Sequence, residues 1–241
     1  EQGFWLFETP VTQALYEAVT GGNPSRFKGS ERPVERVGFA DALSFLDSIN
    51  GAHPGLELRL PSEAEWEYAC RAGSATPFEP NVARTHAGAS IVSDEVNHRS
   101  NQSFVDVAQG EYRKETVNVK HRPFRPNAWG LWQMHGNVFE WCADVWLDTY
   151  GGASPEGTAQ QAFQLAAGVD RVIRGGSWSY DAGSCRSAYR FKVASAHRDG
   201  DLGFRPAQGK VTETLAGKER NAERSEVAGK AELPATVVGA V

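Results

Sequence analysis

Asn127-Ala-Trp-Gly-Leu-Trp-Gln-Met-His-Gly-Asn-Val-Phe-Glu-Trp-Cys142 is the stretch whose reading decides the fold. It interleaves aromatics with glycines on a pattern that fits neither a long amphipathic helix nor a regular hairpin. Such a segment belongs to a loop-rich domain whose core is built from aromatic side chains. Downstream, Arg171-Val-Ile-Arg-Gly-Gly-Ser-Trp178 reads as a strand meeting a tight turn, and Leu202-Gly-Phe-Arg-Pro206 as a final core strand. Upstream, residues 4–8 read as a strand entering the domain. Leu15, Ala18 and Val19 follow Thr12 at helical spacing, with Gly21-Gly22 as the stop. A second helix is expected over about Ala40–Asn50, halted by Gly51. A third starts at Ser62, where Ser62 and Glu65 form a capping box and Trp66, Ala69 and Cys70 face inward. From 74 to 128 no period persists, and a structureless stretch of that length is expected to be functional or ion-supported.

The composition bounds the rest. The chain has 241 residues, enough for one large domain or two small ones with a substantial core. Hydrophobic residues at 40% and charged residues at 23% describe a globular protein rather than a disordered one. The net charge of −5 argues against nucleic-acid binding by bulk electrostatics. No apolar run is long enough to span a membrane. Glu1-Gln2 opens the chain without Met or a basic-then-apolar leader, so any targeting signal lies outside it and the compartment stays open. After Ala207 the aromatics cease, and 208–241 reads as a solvated tail to a domain spanning 1–207.

Familiar catalytic patterns are missing. Six scattered histidines form no His-x-x-x-His, and there is no Gly-x-Ser-x-Gly and no phosphate-cradling glycine loop. Cys70, Cys142 and Cys185 are too few for a disulfide scaffold; buried thiols, one disulfide or a thiol–metal site are the open readings. His135 reads as a loop or core histidine. Gln133, Asn137 and Glu140 make an oxygen-rich group on irregular backbone, suited either to ordering a loop or to holding a hard cation. Residues 178–201 mix Tyr, Phe, Ser, Asp, Gly and His without any period. That mixture suits either an ordinary surface loop or a contact surface, where rings give area and small polar groups give adaptable hydrogen bonds.

Eight motifs then occur in order: Glu8-Thr-Pro-Val-Thr-Gln13, Asn23-Pro-Ser-Arg-Phe-Lys28, Pro33-Val-Glu-Arg-Val37, Leu60-Pro-Ser-Glu-Ala-Glu-Trp-Glu-Tyr68, Asn127-Ala-Trp-Gly-Leu131, Gly136-Asn-Val-Phe-Glu-Trp141, Arg174-Gly-Gly-Ser-Trp178 and Leu202-Gly-Phe-Arg205. Over residues 4–207 the chain resembles the formylglycine-generating-enzyme (sulfatase-modifying factor) family. The resemblance implies a single α+β domain of the C-type-lectin kind with low regular secondary structure, two or three helices and a small antiparallel sheet. It also implies a structural Ca²⁺ held by Gln133 and Glu140 side chains and by Gly136 and Val138 carbonyls. The family's oxidases place two cysteines just after the Arg-Gly-Gly-Ser turn, bind copper there and convert a substrate cysteine to formylglycine. Here Trp178 to Ser184 contains no cysteine, and Cys185 lines up with framework.

Residues 178–205 look more like the variable region of proteins diversified by retroelements, which share this fold. In that resemblance Cys185-Arg-Ser-Ala-Tyr-Arg190 and Gly203-Phe-Arg205 are framework. The exchangeable positions are Ser179, Tyr180, Asp181, Ser184, Phe191, Val193, Ala194, His197, Asp199, Gly200 and Asp201. All carry residues reachable by replacing adenines in Asn codons. The implied function is a non-catalytic display protein, with Trp141, Trp146 and Trp178 stiffening the face and an unnamed ligand, expected to be a protein. The alternative is a copper-dependent oxidase using Cys185 with Cys142 or Cys70. A plain accessory protein with a degenerate site is a third reading.

Overall fold

The computed structural model describes residues 3–85, 87–100, 110–149 and 169–209. Strand β1 (Trp5–Leu6) leads to α1 (Gln13–Thr20), α2 (Phe39–Ala52), β2 (Leu58–Arg59) and α3 (Glu63–Arg71). Then follow β3 (Phe139–Val145), β4 (Asp170–Arg174), a 3₁₀ turn (Ala182–Cys185), β5 (Phe191–Ala194), β6 (Leu202–Gly203) and β7 (Ala207–Gln208). The first and last strands meet: β7 lies between β1 and β2, antiparallel to both. The main sheet runs β5-β4-β3-β6, with β6 parallel to β3 and the other pairs antiparallel.

The helices form where the local chemistry directs them. Thr12 caps α1 by accepting the Leu15 N–H, and Gly21 ends it at φ 76°. Ser62 and Glu65 form the expected capping box on α3. Arg59 grips Glu65 through two bonds of 2.6 Å, locking that cap to β2. Gly51 does not stop α2, which continues to Ala52 and closes where the His53 N–H reaches Ile49 O. A single glycine costs a helix only about 1 kcal/mol. Here the Asn50 amide, clamping both Leu58 backbone groups, holds the last turn in place.

One aromatic core joins helices to sheet. Tyr16 stacks on Phe45, Phe204 packs edge-on against Phe45, and Trp141 packs edge-on against Phe39. Trp66 and Trp141 are fully enclosed, whereas Trp146 and Trp178 are half-buried. Of the three tryptophans expected to stiffen the face, only Trp141 is a core residue.

Among the described residues of 74–128 there is no helix or strand. Side chains supply the order instead. The Asn137 amide exchanges bonds with both backbone groups of Val117, and Asn97 joins it at 3.2 Å. Glu79 accepts from the Asn81 and Val82 N–H groups, and Glu95 from Thr85 and Val92. Buried carboxylates and amides thus satisfy backbone that would otherwise be orphaned. At the C-terminal end, Gln208 still pairs with Trp5 and Leu58, so the domain's strands run past 207. Of the expected tail, 210–241 lies outside the described residues.

Candidate ligand-binding face

Strand β4 delivers the chain into Gly175 and Gly176, at φ 97° and 71°. At Gly176 only glycine fits, because a Cβ would stand 2.5 Å from the Cys185 sulfur. The turn seats Ser177 in the interior, where its hydroxyl donates to Asp201 Oδ2 at 2.7 Å. The Ser179 hydroxyl donates to the same oxygen at 2.5 Å, and the Trp178 indole N–H donates to Gly200 O. These bonds tie the start of the irregular segment to its end.

Between them lies a cavity of about 250 Å³. Ser179, Tyr180, Phe191, Val193, His197, Asp199 and Asp201 line it, together with Trp178, Arg26, Phe139, Ile173 and Leu202. Strand alternation selects the members from β5: Phe191 and Val193 point into the cavity, while Lys192 pairs with Asp170. The Tyr180 ring stands edge-on to Phe139 at 5.0 Å, and Phe191 stacks on Phe139 and Tyr189. Tyr180 and Phe191 are therefore half-buried supports as well as walls, whereas His197 and Asp199 are exposed.

Four of the expected exchangeable residues stand elsewhere. Asp181 caps the 3₁₀ turn by accepting the Ser184 N–H, and Ser184 is buried within that turn. Ala194 shares the alternate face of β5 with Lys192 and pairs with Asp170. Gly200 is buried, although a side chain there would make only ordinary contacts of 3.5 Å or more. Conversely, Arg26 and Phe139 were not foreseen as cavity walls. Their sequence signal, a framework motif and a core aromatic, carried no hint of this role.

The electrostatics are lopsided. Burial raises the Asp201 carboxyl above the ordinary aspartate value, and its two hydroxyl donors only partly offset that. Burial likewise raises Tyr180, with the Asp201 charge adding to it. Arg198 turns away to Asp41 and ion-pairs at 2.7 Å.

The carboxylate and the thiols implied for metals are engaged or enclosed. Glu140 is completely buried and already holds a cation: Oε1 accepts from Arg205 Nη2 at 2.9 Å, and Oε2 from Arg205 Nε and the Trp66 indole. Gln133 spends its amide N–H on Asn118 O, and Gly136 fits closely under Asn97, where a Cβ would be 2.5 Å from that carbonyl. Glu140, the one carboxylate of the Gln133, Gly136, Val138 and Glu140 set, is thus committed to Arg205 and Trp66. Copper(I) needs thiolates. All three cysteines are free and buried, and burial raises all three thiols above the ordinary value, Cys70 to about 12. None of them lines the cavity. His135, held near 4 by burial, donates from Nδ1 to Cys185 O and accepts the Glu79 N–H at Nε2. It is a neutral core histidine.

The fold and this site define an α+β domain of the C-type-lectin kind whose irregular 178–201 segment frames a pocket. The chain belongs to the sulfatase-modifying factor family: the model of the "Sulfatase-modifying factor enzyme 1-like domain" matches residues 2–210. Among curated relatives, formylglycine-generating enzyme of Streptomyces coelicolor is 34% identical over 73% of this chain and 52% of its own length. The mouse formylglycine-generating enzyme is 26% identical over 85% of this chain and 50% of its own. The chain thus spans about half the length of these relatives. Among solved structures, Treponema denticola variable protein 1 aligns with TM-score 0.65 and 27% identity, covering 85% of this chain and 84% of that one. PvdO from Pseudomonas aeruginosa aligns with TM-score 0.68 and 29% identity over 85% and 80%. No described helix is long and apolar enough to cross a membrane.

Proposed function

We propose that the protein is a ligand-binding display protein, whose exchangeable side chains at the 179–201 face grip a protein partner and make or break no bonds. One observation carries this reading. Ser179, Tyr180, Phe191, Val193, His197, Asp199 and Asp201, separated along an irregular segment, converge on one cavity held by an aromatic frame. Rigid presentation lowers the entropic cost of binding. The likeness to Treponema denticola variable protein 1 supports the reading, as does a face that carries no sulfur.

The test is capture from an extract of the source with three immobilised proteins. These are wild type, a face variant (His197→Ala with Asp199→Ala, both exposed) and an off-face control (Glu17→Gln). A partner held by wild type and control but lost by the face variant supports the reading; equal capture by all three contradicts it. Diversification is tested separately by sequencing the DNA around the gene. A near-copy of the segment encoding 178–205, differing at adenines and beside a reverse transcriptase, is the expected finding.

A further inference from the structure

We infer that the cavity takes a lysine or arginine side chain from the partner, with its methylene stem along the rings and its cation at Asp201. This rests on the display reading above and names the chemistry of what is displayed to. Three features of the cavity point there.

The first is a buried acid in its lining. Asp201 is only 8% exposed, yet among the described residues no lysine, arginine or histidine pairs with it. Its Oδ2 takes both serine hydroxyls, while Oδ1 accepts no hydrogen bond from any described residue. A buried carboxylate ordinarily has a cation or a full set of donors. Glu140, elsewhere in this chain, has both. Asp201 lines the cavity and has room for one more donor.

The second is the wall chemistry. Half-buried Tyr180 and Phe191 and buried Phe139 and Ile173 line the cavity, apolar surface suited to a methylene stem and ring faces suited to a cation. The volume of about 250 Å³ is below the roughly 300–1,000 Å³ usual for small-molecule sites and suits a single long side chain. The third is the charge balance at the mouth. Asp199 is exposed there, its Oδ1 anchored by the Gly200 N–H. Arg26 is the counterweight, but it is exposed on the rim and its guanidinium lies over Phe27 at 5.0 Å. Two carboxylates, one of them buried, against Arg26 and His197, both exposed, favour a positive charge in the interior.

The test is an NMR titration of the ¹⁵N-labelled chain with N-acetyl-arginine amide, N-acetyl-lysine amide and the uncharged N-acetyl-norleucine amide. A charge-assisted bond to a desolvated carboxylate should make the arginine probe bind about ten-fold or more tightly than norleucine. The shifts should fall on the Trp178 indole and on Asp201. Asp201→Asn should bring arginine down to the norleucine level. The same spectra report whether that variant is folded, and Asp199→Asn at the exposed mouth should weaken the preference without touching the interior. Norleucine binding as well as arginine, or a preference that survives Asp201→Asn, overturns the inference. Equal binding of both probes at this face would remove the cation preference and leave the display reading standing. Shifts by the basic probes only at residues remote from the face would overturn the inference, and extract capture by the face variant would then decide the display reading on its own.

Discussion

Replacing Asp201 with Asn should leave stability unchanged or raise it by about 1 kcal/mol at pH 7, an unusual outcome for a buried acid. The asparagine keeps an oxygen for the Ser177 and Ser179 hydroxyls. Each of those bonds falls from the charged class, about 1.5–3 kcal/mol, to the neutral class, about 0.5–1.5, so the pair loses about 2–3 kcal/mol. Against this, the variant no longer buries an unpaired charge, a penalty of several kcal/mol even after relaxation. Burial raises the Asp201 pKa and the two hydroxyl bonds lower it, with Asp199 acting alongside burial and His197 against it. Its sign also sets the pH profile. An acid whose folded pKa lies above its unfolded one contributes fully below the unfolded value, about 3.9, and loses that contribution as pH rises through the folded value. Wild type should therefore fall behind Asp201→Asn progressively from the ordinary aspartate pKa upward, flattening once Asp201 is ionised in both states. Tyr180, Arg26, Asp199 and His197 are the titratable and charged neighbours around it, and all are kept in both proteins. Urea unfolding at several pH values from 5 to 8 measures the gap. A loss above about 2 kcal/mol at pH 7 or a gap that narrows with rising pH would refute the reasoning, since a truly paired carboxylate costs about 3–5.

Glu140→Gln should behave in the opposite way, losing about 3–5 kcal/mol in the same assay, because it strands the fully buried Arg205. Gly176→Ala should cost about 2–5 kcal/mol: it combines a left-handed backbone with a Cβ 2.5 Å from the Cys185 sulfur and 2.7 Å from Ser184 O. Calcium or EDTA should not move the melting temperature by more than about 1 °C, since a cation bound only by the native state would raise it by mass action.

How much of this was legible depends on how local the governing contact is. The α3 capping box, the Thr12 cap and the Gly-Gly turn after β4 could be read because the partners lie within a few residues of each other. Gly51 misled because Asn50 clamps a residue beyond the helix, a tertiary contact that no propensity contains. Oxygen-rich chemistry at Glu140 was visible; that Arg205 would occupy it was not, because only the parallel pairing of β6 with β3 brings the two together. The exchangeable set was read from a resemblance spread along the segment. The structure sorts it by geometry: alternation on β5 excludes Ala194, and the 3₁₀ turn claims Asp181 and Ser184. Arg26 came to the cavity from the opposite end of the chain, where its motif looked like framework.

The central claim is that this face grips without reacting. Titration of the fully reduced protein with Cu(I), followed by incubation with a cysteine peptide in air and mass analysis, tests it most directly. The account predicts no tight stoichiometric copper and an unchanged peptide. One equivalent of tightly held Cu(I) together with conversion of the peptide cysteine to an aldehyde would contradict it.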